Sequence, residues 1–118
     1  LGKLSVANGL YAAPLRGAAL GILVCGDLER ALPDAPEYWV IDASIATQNM
    51  VLAAQDLGIG SVWLGCWPCE DRVQEVKELM ALPENVVPHS ILALGYAKEP
   101  DNEERDLYES DRVHFDEW

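Results

Sequence analysis

The chain has 118 residues, half of them apolar, which fits one domain with its own core; a domain near this size buries roughly two-thirds of the surface its unfolded chain exposes, without disulfide staples. Acidic residues number 20 against 8 basic, a net charge of −12, which argues against nucleic acid and against an anionic membrane surface as partners. No apolar run reaches the ~18 residues of a membrane span. The opening residues do not read as a secretory leader, and an odd number of cysteines is unusual for a stapled secreted domain, so a cytoplasmic location is expected.

Residues 1–16 carry helix-like spacing interrupted by Gly9 and Pro14, which predicts one or two short helices. The chain enters this spacing directly at Leu1, so the true start of the domain is expected upstream. Residues 18–26, AALGILVCG, are small and branched and end at a Gly-Asp pair, the pattern of a buried strand. A proline-marked loop over 29–35 follows. Asp34 is then a plausible N-cap, with Pro36 in the first turn and Glu37 three residues on, as in a capping box. The helix is predicted over 37–57, with Gly58 as its C′ residue. It is about 21 residues long, or ~30 Å, and its only charges are Glu37, Asp42 and Asp56. A helix this apolar is covered on more than one side; in a small chain the natural second cover is another subunit.

Residues 61–65, SVWLG, predict a second strand. Residues 70–81 predict an amphipathic helix with Val73, Val76, Leu79 and Met80 in one stripe. Glu70 and Asp71 suit the positive end of its dipole, and Pro83 stops it. Residues 89–96, HSILALGY, predict a third strand. Much of the acidic excess lies in 99–111 and reads as a solvated arm. There is no internal repeat and no domain boundary.

The segment Gly65-Cys66-Trp67-Pro68-Cys69 raises three readings: a redox dithiol, half of a metal site, or a loop with another purpose. A strand before Cys66 and a helix after Cys69 would suit a reactive thiol at a helix N-terminus. Too few residues separate Cys69 from Pro88, however, for the strand and helix that a thioredoxin-type fold needs there. Glu70 and Asp71 would also raise a neighbouring thiol pKa. Zinc wants four ligands, and the remaining candidates, Cys25, His89 and His114, each stand alone; no metal is expected. His89 reads as a strand-start residue.

Taken in order, the phrases EYWVIDASIATQNMVLAAQDLGIGSVWLG, P-x-E-D-R-V, LPENVVPHSILALGY and RVHFDEW resemble the C-terminal part of an FMN-dependent nitroreductase domain. The resemblance covers nearly all of residues 1–118 as a single domain. The family's N-terminal region, with its flavin-phosphate contacts, has no counterpart here. The resemblance implies an α+β fold, three layers α/β/α, with a mainly antiparallel sheet. Strand-helix-strand order alone would instead suggest parallel crossovers. It further implies a homodimer with the flavin at the subunit interface. Electrons would pass from NAD(P)H through FMN to a small-molecule acceptor, such as a nitroaromatic or quinone. Leu64, Gly65 and Cys66 correspond to the strand-end loop against the flavin ring, where backbone N–H groups can reach it and a small Gly65 permits close approach. Arg112 matches an arginine on the FMN phosphate, although Ser110 stands where some relatives place a lysine. Trp67 is a candidate wall of the substrate pocket. No acid–base catalyst is assigned. A thiol-disulfide oxidoreductase using Cys66 and Cys69, or a non-catalytic dimer that has lost flavin, are the alternatives.

Overall fold

The computed structural model describes residues 1–99 and 105–118, so part of the acidic segment expected at 99–111 lies outside the described residues. Three strands form one sheet: β1 (Leu20–Asp27), β2 (Gly60–Gly65) and β3 (Val86–Gly95). Their order is β1-β3-β2, with β3 antiparallel to both neighbours. Thus β1 and β2 run in the same direction without pairing, because the last strand in sequence inserts between them. The antiparallel α+β architecture implied by the resemblance is the observed one.

One face of the sheet is covered by α1 (Gly2–Ala7), a 3-10 segment (Leu10–Arg16) and α3 (Glu70–Met80). Leu15, Cys66, Val76 and Ile91 are fully buried there. Burying a side chain such as Val76 contributes about 1.5–3 kcal/mol. The expected stripe on α3 is buried only in its first half, since Leu79 and Met80 remain exposed. The opposite face is covered by α2 (Tyr38–Asp56), which turns Ala43, Thr47 and Ala54 inward at helical spacing.

The C-terminal signal of α2 holds in detail. Gly58 takes φ +70°, its N–H donates to Gln55 O, and Ile59 N–H donates to Ala54 O, the paired bonds of a Schellman ending. The N-terminal expectation is corrected. The helix begins at Tyr38 with Glu37 at the cap position and no side-chain cap. Pro36 is the reason: lying two residues after Asp34, it removes one of the two N–H groups an Asp34 cap would bind. The intervening residues turn through Tyr38 N–H to Ala35 O instead.

The third strand begins at Val86, three residues ahead of the expected start, and so contains Pro88. A proline in a central strand is tolerated at a bulge. The register shifts between Val24, opposite Ser90, and Cys25, opposite Pro88, leaving His89 as the extra residue. On the other side, β2 pairs only as far as Gly65 with Ser90, so Pro88 faces no β2 partner. The bulge turns two consecutive side chains, His89 and Ser90, toward α2, where they meet Ser44 and Thr47.

Candidate functional site

β2 is an edge strand, and its end carries the residues singled out by sequence. Leu64 and Cys66 point their side chains into the core, while Gly65 between them is exposed. Cys66 N–H and Trp67 N–H both donate to His89 O, each at 3.0 Å. In an antiparallel ladder the N–H and C=O of alternate residues face the same neighbour. Leu64 and Cys66 therefore direct theirs at β3, and Gly65 directs its own at the open edge. Its carbonyl there accepts from Arg72 Nη1 at 3.3 Å. Of the three main-chain N–H groups expected to meet a flavin, the one facing outward is that of Gly65.

Gly65 has no conformational reason to be glycine. Its φ is not positive, and an added Cβ would meet nothing nearer than Trp67 O at 3.8 Å. Gly26 is the opposite case: a Cβ there would stand 2.7 Å from Trp39 Cδ2 and closer still to Cε3, so Trp39 lies against bare backbone. Trp39 then packs edge-on against Trp67, with ring centroids 5.3 Å apart. Trp67 is about half-exposed and forms one wall of an open cleft of about 740 Å³, also lined by Asp34, Glu37, Tyr38 and Trp39.

His89, read from sequence as a strand-start residue, sits at the centre of this side of the molecule. Its Nε2 lies 3.1 Å from Ser44 Oγ and its Nδ1 lies 3.0 Å from Ser90 Oγ. The rings of Trp39 and Trp63 stand 6.0 and 6.1 Å away. Burial pushes its proton affinity below the ordinary histidine value. A proline within a strand pattern was the available signal for this arrangement, since it marks a bulge; the helix partners Ser44 and Thr47 had none.

Geometry counts against the dithiol reading, because Cys66 is fully buried. Burial, first, and then the neighbouring Cys25 push the Cys66 thiol up to about 12, against a smaller lowering by Arg72. The thiolate is the nucleophile, and a group held this high is protonated at neutral pH. All three cysteines are free thiols, and among the described residues no cluster of three or more His, Cys, Asp or Glu is gathered. Arg112 lies in an exposed 3-10 turn (Ser110–Arg112), where its guanidinium pairs with Glu109. Among the described residues no hydrogen bond or ion pair joins it to residues 64–66. Likewise, among the described residues, no helix is long and apolar enough to cross a membrane.

Comparison with known proteins defines the class. The nitroreductase family profile matches residues 3–96, and the chain belongs to that family. It is 44% identical over 108 residues to a Methanothermobacter thermautotrophicus protein that carries the provisional name NADH dehydrogenase/NAD(P)H nitroreductase, covering 92% of this chain and 55% of that protein. A similarly named protein of Archaeoglobus fulgidus is 43% identical over 114 residues, covering 88% of this chain and 60% of the relative. The chain thus spans little more than half the length of these relatives. Among solved structures, a provisionally named NADH oxidase of Clostridium acetobutylicum superposes with TM-score 0.88 at 30% identity, over 99% of this chain and 70% of that one. A Clostridium difficile protein described as an FMN-dependent nitroreductase superposes at 0.82 with 25% identity, over 98% of this chain and 68% of that one.

Proposed function

We propose that this protein is an FMN-dependent oxidoreductase that takes electrons from NAD(P)H and delivers them to a nitroaromatic, quinone or similar acceptor. The observation that carries the reading is Gly65: an exposed strand-end glycine, its N–H turned to an open edge, at a position where nothing among the described residues requires glycine. Close approach of a flat ligand to that backbone supplies the requirement. The family membership and the names of the relatives support the same cofactor and donor.

FMN, when bound, supplies the redox chemistry, and the protein binds, orients and tunes it. Leu64 and Cys66 anchor the strand end through buried side chains, and Gly65 N–H is the hydrogen-bond donor for the flavin ring. Arg112 is the phosphate ligand; a guanidinium grips phosphate with several bonds, and it exchanges Glu109 for that partner. Trp67, Trp39 and Tyr38 give the adjoining cleft apolar walls suited to a planar acceptor.

The protein works as a homodimer in the cytoplasm. Ile41, Ile45 and Leu52 on the outer face of α2 are each more than half exposed, and a twin subunit would cover them. The decisive test is an FMN titration of the purified protein followed by flavin fluorescence, then NAD(P)H oxidation with a nitroaromatic acceptor. Saturable quenching and flavin-dependent turnover are expected. Turnover that survives flavin removal but is lost in Cys66→Ser would overturn the reading.

A further inference from the structure

Between α2 and the sheet runs a chain of hydroxyls with His89 in its middle. Ser44 Oγ donates to Val40 O at 2.7 Å, and Thr47 Oγ1 donates to Ala43 O at 2.7 Å. Between these two ends lie three further contacts: Ser44 with His89 Nε2, His89 Nδ1 with Ser90, and Ser90 with Thr47 at 3.3 Å. Both ends terminate on carbonyl oxygens, which only accept. Five contacts therefore need five protons. Three hydroxyls supply three and a neutral imidazole one, so the network is one proton short. An imidazolium would complete it.

The positions of the hydroxyl protons follow. The end hydroxyls are committed to Val40 O and Ala43 O, so Ser44 can only accept from the ring. That assigns the proton to Nε2 and leaves Nδ1 to accept from Ser90 Oγ. The contact without a proton is Ser90 with Thr47, the longest of the five.

Among the described residues, the groups in contact with the ring carry no charge. From α2 they are Ser44 and Trp39, from β2 Trp63, from the strand-end loop the main chain of Cys66 and Trp67, and from β3 itself Ser90. On β1 the titratable group near the bulge is Cys25, opposite Pro88, a thiol raised by burial and neutral. Burial lowers the ring's proton affinity. A buried charge without a counter-ion is costly, so the ring is neutral at pH 7 and takes up its proton only on acidification. The same residue's carbonyl holds the N–H groups of Cys66 and Trp67. The ring is tied to α2, and the carbonyl is tied to the loop beside Gly65.

We propose that His89 is a positioning residue for the loop over residues 65–67, and that the hydroxyl chain anchoring it is a buried site for the uptake of one proton. The functional meaning of the loop rests on the reading of Gly65 as a flavin contact; the two measurements that test this inference need no flavin.

The first follows tryptophan fluorescence against pH. The chain has two histidines, and His114 also stacks on a tryptophan, Trp118, so the titration is run in a His114→Gln background. A quenching transition is expected on the acid side of the ordinary histidine range, and it should disappear in His89→Gln. Thr47→Val removes the acceptor that Ser90 needs once the ring is protonated, and should weaken proton binding roughly two- to tenfold. A transition absent from the parent, or unmoved by Thr47→Val, would refute the proton count.

The second measures amide exchange. Ser44→Ala, a small change beside the sheet, should speed exchange of the Cys66 and Trp67 amides about tenfold relative to those of Ile91 and Leu92. His89→Leu should do the same, and His89→Gln, which can still donate to Ser44, should restore much of the protection. Uniform acceleration across the sheet, or no change, would show that His89 positions nothing. Failure of the protein to bind FMN would overturn the functional reading while leaving both measurements decisive.

Discussion

Replacing Gly65 with alanine separates a requirement of the fold from a requirement of a ligand. Among the described residues an added Cβ meets only Trp67 O, at an ordinary contact distance of 3.8 Å, and the backbone is already extended. Alanine also restricts the unfolded chain, so Gly65→Ala should leave stability unchanged or raise it by about 0.4–1 kcal/mol. The ligand side carries the opposite sign. A methyl group at 65 would stand out of the sheet plane beside that N–H and obstruct a flat ring lying close over this backbone, and loss of one hydrogen bond costs about 0.5–1.5 kcal/mol, or up to roughly tenfold in affinity. Two measurements on one preparation decide the matter: the urea midpoint without flavin, and FMN affinity from flavin fluorescence. The expected pattern is a midpoint equal to or above the parent with FMN binding weakened severalfold. FMN affinity equal to that of the parent would refute the argument that glycine is there for the flavin. A large fall in the midpoint would show that the chain itself needs glycine at 65.

Gly26→Ala should behave in the reverse way: the new methyl overlaps the Trp39 ring, so stability should fall by about 1–3 kcal/mol, seen in the urea midpoint and in the near-ultraviolet tryptophan signal. Arg112→Ala should weaken FMN by about one to two decades through loss of charge-assisted bonds while leaving riboflavin binding nearly unchanged; equal weakening of both would show that Arg112 does not touch the phosphate. Ile45→Glu places a carboxylate on the outer face of α2, where Ile45 is exposed in the single chain. A folded monomer by sedimentation is expected, because a homodimer interface of about 2,000 Å² or more would bury that charge unpaired, and an unchanged dimer would rule out this face. Because burial holds His89 below its ordinary value of 6.5, the unfolded chain binds the proton more readily in the window beneath 6.5. This group's contribution to stability is then complete above that window and falls as pH drops through it. His89→Gln in the His114→Gln background should flatten that slope in urea midpoints measured across the window.

The helices were legible because their signals are local. The apolar spacing of α3, the sparsely charged run of α2 and the glycine that ends it act within a turn or two of the chain, and the structure keeps the helices, although Leu79 and Met80 of the α3 stripe stay exposed. The strands were legible as apolar runs, but their partners were not. Pairing joins residues far apart in sequence, and only assembly puts the last strand between the first two. The family likeness of the ordered phrases supplied that architecture where periodicity could not. Sequence also singled out residues 64–66, yet the alternation of the ladder decided which backbone groups face outward: Gly65 turns to the edge while Cys66 N–H is held by His89. The significance of His89 itself was out of reach. Its position depends on a register shift opposite Pro88 and on two hydroxyls from a helix more than 40 residues away. A hydrogen-bond network closes through space, so its proton count exists only once the helix lies on the sheet.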